Sequence, residues 1–155
     1  MISLLPSHHE TIVLPHSAET IFRKMYWATS DKPFMQPNEQ NLKFNGWVKE
    51  EKFRISVRVH RANNYLPLVI GEIESTSSGC ILFIDYKLFP TTRMLLVLWT
   101  ILLVLGALIF SYQTKNIIYL AGGLAVIALI HFVVWSNFNL QLDITRKALH
   151  KLLIE

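Results

Sequence analysis

The chain carries little charge and almost no cysteine. Of its 155 residues, 17% are charged and 52% are hydrophobic, whereas soluble domains carry about 25% charged residues. The single cysteine, Cys80, has no partner for an intramolecular disulfide, which excludes a disulfide scaffold and a cysteine-rich zinc site. The net charge of +4 is too small to indicate specific nucleic-acid binding. A chain of this composition is expected to lie partly outside water.

Recognised catalytic motifs are also missing. The sequence contains no P-loop, GxSxG, HExxH or GxGxxG pattern, so neither an enzyme nor a cofactor is predicted. His8, His9, Glu10 and His16 lie close together along the chain. Adjacent residues on an extended chain point to opposite sides, and the spacing matches no standard metal site. We therefore predict no metal site. The start of the chain lacks the basic residues and unbroken apolar run of a signal peptide.

Two apolar runs are the strongest signal in the sequence. Residues 94–112 and 117–135 contain no Lys, Arg, Asp or Glu, and as helices each reaches about 28 Å, close to the ~30 Å of a bilayer core. The short link QTKN makes the two predicted spans antiparallel. Basic residues precede the first span and follow the second, so the positive-inside rule places both termini in the cytoplasm. The basic residues are Lys87, Arg93, Arg146, Lys147 and Lys151.

Small residues are expected at the contact between the two spans. Folding the chain at the QTKN link places Gly106 and Ala107 opposite Gly122 and Gly123, and Ala125 continues the small surface along the second helix. Small residues allow helix backbones to approach closely in membranes. This surface either packs the hairpin or joins subunits.

Two polar residues lie inside the predicted spans at similar depth, Thr100 and His131. Ionisable residues within a membrane are functional candidates by default. For His131 the alternatives are a proton-relay or gating role and an ordinary packing contact with its hydrogen bond satisfied.

The residues before the first span predict a small β-rich domain. Ser17 is a candidate N-cap for a helix ending near Ala28. Alternating apolar and polar residues from Phe53 to His60 are typical of a strand with one buried face, which places Phe53, Ile55, Val57 and Val59 in the core. We predict an antiparallel sheet of at least four strands, or a partly open barrel, with one covering helix. The expected strands are ETIVLP and residues 42–48, 53–60, 68–74 and 80–88.

The tail after the second span predicts a short amphipathic helix capped by Asp143. Such a helix either lies on the membrane or docks on the β domain, and the absence of Trp and Phe anchors favours docking. The predicted fold is therefore an α+β membrane protein: a cytoplasmic domain over residues 1–91, a transmembrane hairpin over 92–136 and a cytoplasmic tail over 137–155.

The best candidate binding surface is the outward side of the Phe53 strand and the turn after it. Positive charge gathers there beside an aromatic ring and an amide, which suits a phosphate-bearing ligand. Glu50 and Glu51 are close enough to pair with these arginines, so a merely solvated sheet face is the alternative. The candidate residues are Trp47, Arg54, Arg58, His60, Arg61 and Asn64.

The run FNGWVKEEKFRISVRVHRANNYLPLVIGEIESTSSGCILFIDYKLFP, followed by two spans, resembles a group of small bacterial membrane proteins. Its pattern is F-x-G-x-V, F-R-I, N-x-x-P-x-I-x-G-x-I and a strand ending in Leu-x-Pro before the membrane. It is similar in plan to YcxB-like proteins, in which a two-span hairpin accompanies a β-rich cytoplasmic domain. The resemblance implies a bacterial inner-membrane protein and carries no activity or site residues.

These features favour a membrane-anchored binding or sensor module over an enzyme. The β domain would bind a partner or an anionic ligand and the hairpin would oligomerise in response; a defence or stress effector is one form of this module. The alternative is a structural or assembly subunit of a larger membrane complex. Expected partners are membrane lipids and either further copies of the chain or other membrane subunits.

Overall fold

The computed structural model describes residues 5–30, 43–49, 51–59 and 63–154. Within these residues a β-rich N-terminal part is followed by two long helices. The elements, in chain order, are β1 (Ser7–Leu14), α1 (Ala18–Ala28), β2 (Thr29–Ser30), β3 (Phe44–Lys49), β4 (Lys52–Val57), β5 (Pro67–Thr76), β6 (Gly79–Leu88), α2 (Pro90–Thr114) and α3 (Ile118–Ile154).

The strands form one open sheet in the order β1-β6-β5-β4-β3-β2. Neighbouring strands are antiparallel except β2 and β3, which are parallel. The α+β class is confirmed, but the expected purely antiparallel sheet or barrel is corrected to a mixed open sheet. The parallel pair forms because β2 leaves α1 directly beside β3, where the amide of Lys43 donates to the carbonyl of Ala28 at 3.1 Å.

One side of this sheet, here called the inner face, carries the hydrophobic core. Phe53 and Ile55 of β4 are fully buried, as their alternation predicts. Val59 was expected in the same row, but that prediction is wrong: β4 ends at Val57, and Val59 beyond it is 40% exposed. A side chain at Gly71 on β5 would overlap the ring of Phe53, so this position leaves room for the aromatic core.

Helix α1 begins and ends where the sequence indicates. The Ser17 side chain caps it by accepting a hydrogen bond from the amide of Thr20 at 3.3 Å. Ile21, Met25 and Ala28 recur at helical spacing and are buried. The helix therefore covers part of the inner face with a single apolar stripe.

Helix α3 is continuous over 37 residues, a length of about 55 Å. The predicted separate tail helix capped by Asp143 is wrong, since Asp143 lies inside α3. Docking of this segment is confirmed, because α3 contacts β4, β5 and α1 and its later residues Leu142, Leu149 and Leu153 are buried in the core. The helix does not break at the predicted boundary between the second span and the tail. Asn137, the first residue of the predicted tail, donates to the carbonyl of Val133 at 2.8 Å. Its buried stripe crosses that boundary: Val134, Phe138, Leu142, Thr145, Leu149 and Leu153.

Helices α2 and α3 pack as a hairpin whose turn contains Lys115 in the left-handed conformation, at φ 52°. Both are long and apolar enough to cross a membrane, and only 6% of the most apolar stretch of each is buried inside the protein. Met94 and Phe132, for example, are 74% and 70% exposed. A core helix of a soluble protein would hide such side chains, so the two helices are candidate membrane spans.

Candidate functional site

The face of the sheet opposite α1 and α3, here called the outer face, carries part of the predicted binding surface. Trp47 on β3 and Arg54 on β4 are register partners. The next partners in the same row are Ile70 on β5 and Asp85 on β6. Trp47 and Ile70 are each 38% exposed, and Arg54 is exposed. The structure thus places an indole, a guanidinium and an apolar side chain side by side at the surface.

The other predicted members of this surface are more scattered. Arg58 lies just past the end of β4 and is half-buried, with its backbone amide donating to the carbonyl of Lys43 at 2.9 Å. Asn64 is exposed in the turn that leads to β5. His60 and Arg61 lie outside the described residues. Among the described candidates, only Trp47 and Arg54 are paired by the sheet register.

Both signs of charge line a groove at one end of the outer face. The groove is formed by Trp47, Lys49, Glu51, Lys52 and Glu72. The ammonium of Lys52 lies 3.7 Å from a carboxylate oxygen of Glu72, in an exposed ion pair. Together with Arg54, Lys49 and Lys52 offer basic groups for an anion. Glu51 and Glu72 in the same groove make this surface less positive than the sequence predicts.

A cluster of four polar side chains on the inner face was not expected from the sequence. We call Glu10, Tyr86, Arg146 and His150 the Glu10 cluster. Arg146 donates to both carboxylate oxygens of Glu10, from Nη2 at 2.7 Å and from Nε at 3.1 Å. His150 Nε2 lies 2.9 Å from one oxygen, and the Tyr86 hydroxyl donates to the other at 3.1 Å. The cluster joins β1 and β6 to α3.

The position of Glu10 follows from strand alternation. Glu10, Ile12 and Leu14 share the inner side of β1, so the carboxylate points towards the core rather than into water. Its side chain is only 12% exposed. Arg146 and His150 are four residues apart on α3 and therefore share one helix face. The sequence offered one signal for this contact. Glu10 alternates in phase with the apolar residues Ile12 and Leu14, so a charged side chain is expected on the buried side of β1.

The contacts of the cluster shift the pKa values of Glu10, Tyr86 and Arg146. Hydrogen bonding from Arg146 lowers the pKa of Glu10 to about 2, against the opposing effect of burial, with further lowering by His150 and Tyr86. Burial, followed by the charge of Glu10, raises the pKa of Tyr86. The hydrogen bond to Glu10 also raises the pKa of Arg146. At neutral pH Glu10 is therefore an anion, and because it has no proton to donate, His150 Nε2 carries the hydrogen of their bond.

The histidines near Glu10 separate onto the two faces of the sheet. His8 is the register partner of Tyr86, and their rings lie 5.9 Å apart. His9 pairs with Asp85 on the outer face, and Asp85 also accepts from Lys87 at 2.6 Å. Burial alone would raise the pKa of Asp85, but the hydrogen bonds from Lys87 and His9 lower it on balance. Strand alternation therefore directs the two histidine side chains to opposite faces of the sheet.

The small residues of the hairpin divide into two groups. Gly123 packs directly on Ala107, where any side chain at position 123 would overlap the methyl group of the alanine. A methyl group at Gly106 or Gly122 would meet nothing within 4 Å, and Ala125 is exposed. The close approach of α2 and α3 thus uses Ala107 and Gly123, and leaves the other three small residues outside it.

The two polar residues predicted within the candidate spans each hydrogen-bond to a carbonyl of their own helix. Thr100 donates to the carbonyl of Leu96 at 2.8 Å. His131 Nδ1 lies 3.0 Å from the carbonyl of Ile127. Each bond returns one turn along the same helix, so the Thr100 hydroxyl and His131 Nδ1 are bonded without a partner from the other helix of the hairpin.

Comparison of the chain with protein-family models, with curated proteins and with solved structures finds no match. The similarity in plan to YcxB-like proteins therefore stays a prediction. The functional argument below depends on the geometry of the two sheet faces and of α3.

Proposed function

We propose that the protein is a membrane-anchored binding module whose outer face recognises an anionic ligand or partner and whose hairpin oligomerises in response. The observation that carries the proposal is the continuity of α3. One helix both packs on the domain and forms half of the apolar hairpin. A conformational change in the β domain can therefore be transmitted through this continuous helix to the candidate spans.

Recognition is assigned to the Trp47 and Arg54 pair. An indole beside a guanidinium provides a flat apolar surface together with donors for charge-assisted hydrogen bonds. That combination suits a planar ring carrying phosphate groups, such as a nucleotide. Lys49 and Lys52 add positive charge at the edge of the same surface.

Transmission is assigned to β4 and α3. Successive side chains of β4 point to opposite faces, so Arg54 faces the ligand side while Phe53 and Ile55 belong to the core that α3 completes. Displacement of β4 would therefore change the surface of the core on which α3 packs. The Glu10 cluster fixes the position of α3 at the other side of this packing surface, because it holds α3 to β1 and β6.

Oligomerisation is assigned to the small residues left outside the intramolecular contact. Gly106, Gly122 and Ala125 permit the close approach of another helix in the membrane. The proposal places the hairpin in the inner membrane of a bacterium with both termini in the cytoplasm. The basic residues flanking the hairpin support that orientation.

A nucleotide-binding experiment on the detergent-solubilised protein tests recognition. ATP and GTP are titrated against the wild type, against the Trp47→Ala/Arg54→Ala double variant and against Arg23→Ala, which removes an exposed arginine on α1. We expect at least tenfold weaker binding for the double variant and unchanged binding for the control. Equal binding by the double variant and the wild type would contradict the proposed surface.

A cross-linking experiment tests the response of the hairpin. Cys80 is fully buried, so a cysteine introduced as Ala125→Cys reports on the hairpin. We expect the bound nucleotide to change the yield of disulfide-linked dimers in this background, and to have no effect once Trp47 and Arg54 are also replaced. A yield that ignores nucleotide in both backgrounds would rule out coupling between the outer face and the hairpin.

A second candidate function is that of an assembly subunit in a larger membrane complex. The outer face also exposes apolar side chains, with Val13 at 72%, Phe83 at 43% and Ile70 at 38%. Apolar groups mixed with charges are typical of protein interfaces. Native mass spectrometry of the complex extracted from membranes separates the two functions, because an assembly subunit retains other chains in fixed stoichiometry and a binding module yields copies of itself.

A further inference from the structure

A small cavity lies where the domain meets the hairpin, and we call it the junction cavity. It has a volume of about 110 Å³. It forms where β6 ends and α2 begins, beside the first residues of β1. Its lining combines two basic side chains and a hydroxyl with apolar groups: Leu5, Pro6, Ser7, Lys87, Leu88 and Arg93.

We propose that the junction cavity binds the phosphate group of an anionic phospholipid from the leaflet next to the domain. The inference rests on insertion of the hairpin into a membrane and is independent of any ligand on the outer face. Arg93 supplies the positive charge and Lys87 supplies further hydrogen-bond donors. The apolar part of the lining lies against the glycerol backbone and first methylene groups of the lipid.

The position of the cavity along α2 matches the depth of a headgroup. α2 has 25 residues and so extends about 37 Å, which exceeds the ~30 Å of hydrocarbon. Its uncharged run starts at Met94, which is 74% exposed. Arg93, directly before that run, therefore lies at the level of the phosphates, where basic side chains gain from anionic lipids.

The donors in the cavity are available to a phosphate. Lys87 uses one of its three ammonium donors on Asp85, at 2.6 Å, which holds the side chain in place and leaves two donors. Arg93 is exposed, and its guanidinium has no hydrogen-bond or ion-pair partner among the residues the structure describes. Since Asp85 offsets Lys87, the positive charge of Arg93 remains to attract the anion.

The test is native mass spectrometry of the full chain in detergent, with phosphatidylglycerol or phosphatidylcholine added at equal concentration. The variants are Lys87→Ala/Arg93→Ala and the matched control Arg23→Ala/Lys24→Ala, which removes the same two residue types from α1. We expect the wild type and the control to retain phosphatidylglycerol about tenfold better than the double variant does. Phosphatidylcholine should be retained weakly by all three proteins.

A competing arm distinguishes the lipid from free phosphate. Inorganic phosphate at millimolar concentration should leave the retained phosphatidylglycerol in place, because the lipid also gains from its apolar contacts. Displacement of the lipid by inorganic phosphate would overturn the assignment to a lipid. Equal retention of phosphatidylglycerol by the double variant and the wild type would overturn the site itself. The folding control is a circular-dichroism melt: if the double variant melts like the wild type, its loss of lipid is not caused by unfolding.

Discussion

Glu10→Gln removes a negative charge that holds α3 to the sheet. The amide keeps nearly the same shape but presents a neutral group to Arg146 and His150. At about 1.4 kcal/mol per pKa unit, the displacement of the Glu10 pKa from 4.5 to about 2 corresponds to about 3 kcal/mol in favour of the ionised cluster. The side chain is only 12% exposed, so solvent screening removes little of it. We expect the substitution to destabilise the docked part of α3 by about 2–3 kcal/mol.

The same reasoning fixes the pH dependence. The pKa of Glu10 is lower in the folded protein than in the unfolded chain, so the unfolded chain takes up the proton first. The contribution of Glu10 is complete above its ordinary pKa of 4.5, falls as the pH drops towards about 2, and is absent below that value. Glu10→Gln should abolish this part of the pH dependence.

Hydrogen exchange of the peptide covering residues 138–154 measures the local opening free energy of α3, with intrinsic exchange rates corrected for pH. Glu74→Gln is the matched control, because Glu74 is an exposed glutamate on β5. The Glu10→Gln protein should exchange faster than wild type at pH 7, and the two should converge near pH 2. If Glu10→Gln and Glu74→Gln differ by less than about 0.5 kcal/mol at pH 7, the Glu10 cluster does not stabilise the docked helix.

Three further substitutions test the packing. Gly123→Ala should lower the melting temperature of the hairpin in detergent, because the added methyl group overlaps Ala107. The control Gly122→Ala should not, because its methyl group meets nothing within 4 Å, and equal melting temperatures of the two variants would contradict the contact. Thr145→Val should raise the free energy of unfolding by about 1 kcal/mol, because its buried hydroxyl has no partner among the described residues; a loss of stability would show that the hydroxyl is bonded. Gly71→Ala should lower the free energy of unfolding by about 2 kcal/mol or more, since its Cβ overlaps a core aromatic ring; a denaturation midpoint equal to wild type would contradict this.

Local signals in the sequence were sufficient for most elements. Ser17 predicts the start of α1 because its hydroxyl replaces a missing intrahelical partner. Alternation places Phe53 and Ile55 inside. Hairpin register makes Trp47 and Arg54 neighbours once β3 and β4 are recognised. Each of these inferences depends on residues close together in the chain.

One error came from a local cap signal that a longer periodic pattern outweighs, and another from a pairing between segments that are separated along the chain. Asp143 resembles a helix cap by residue type, yet α3 continues through it because the buried stripe from Val134 to Leu153 repeats every three or four residues. That period was visible in the sequence and outweighed the cap signal. β2 has only two residues, and its parallel pairing with β3 depends on where α1 ends in space.

The Glu10 cluster shows the same limit at the level of a site. Arg146 and His150 lie 136 and 140 residues from Glu10 along the chain. Strand parity indicates that Glu10 points inward, and helix periodicity indicates that its two partners share a face. Nothing in either pattern says that the two faces meet, because that depends on how α3 leaves the hairpin.

The contact between Glu10 and the last turns of α3 imposes an order on biogenesis. Ribosomes release β1 early and Arg146 late, with α2 and the first part of α3 in between. If the hairpin inserts into a membrane, as proposed, insertion begins while the inner face of the sheet still lacks the last turns of α3. A copy that fails to insert keeps an aggregation-prone apolar surface open to chaperones and proteases. Under the proposal, insertion of the hairpin thus precedes burial of the apolar stripe of α3 against the sheet.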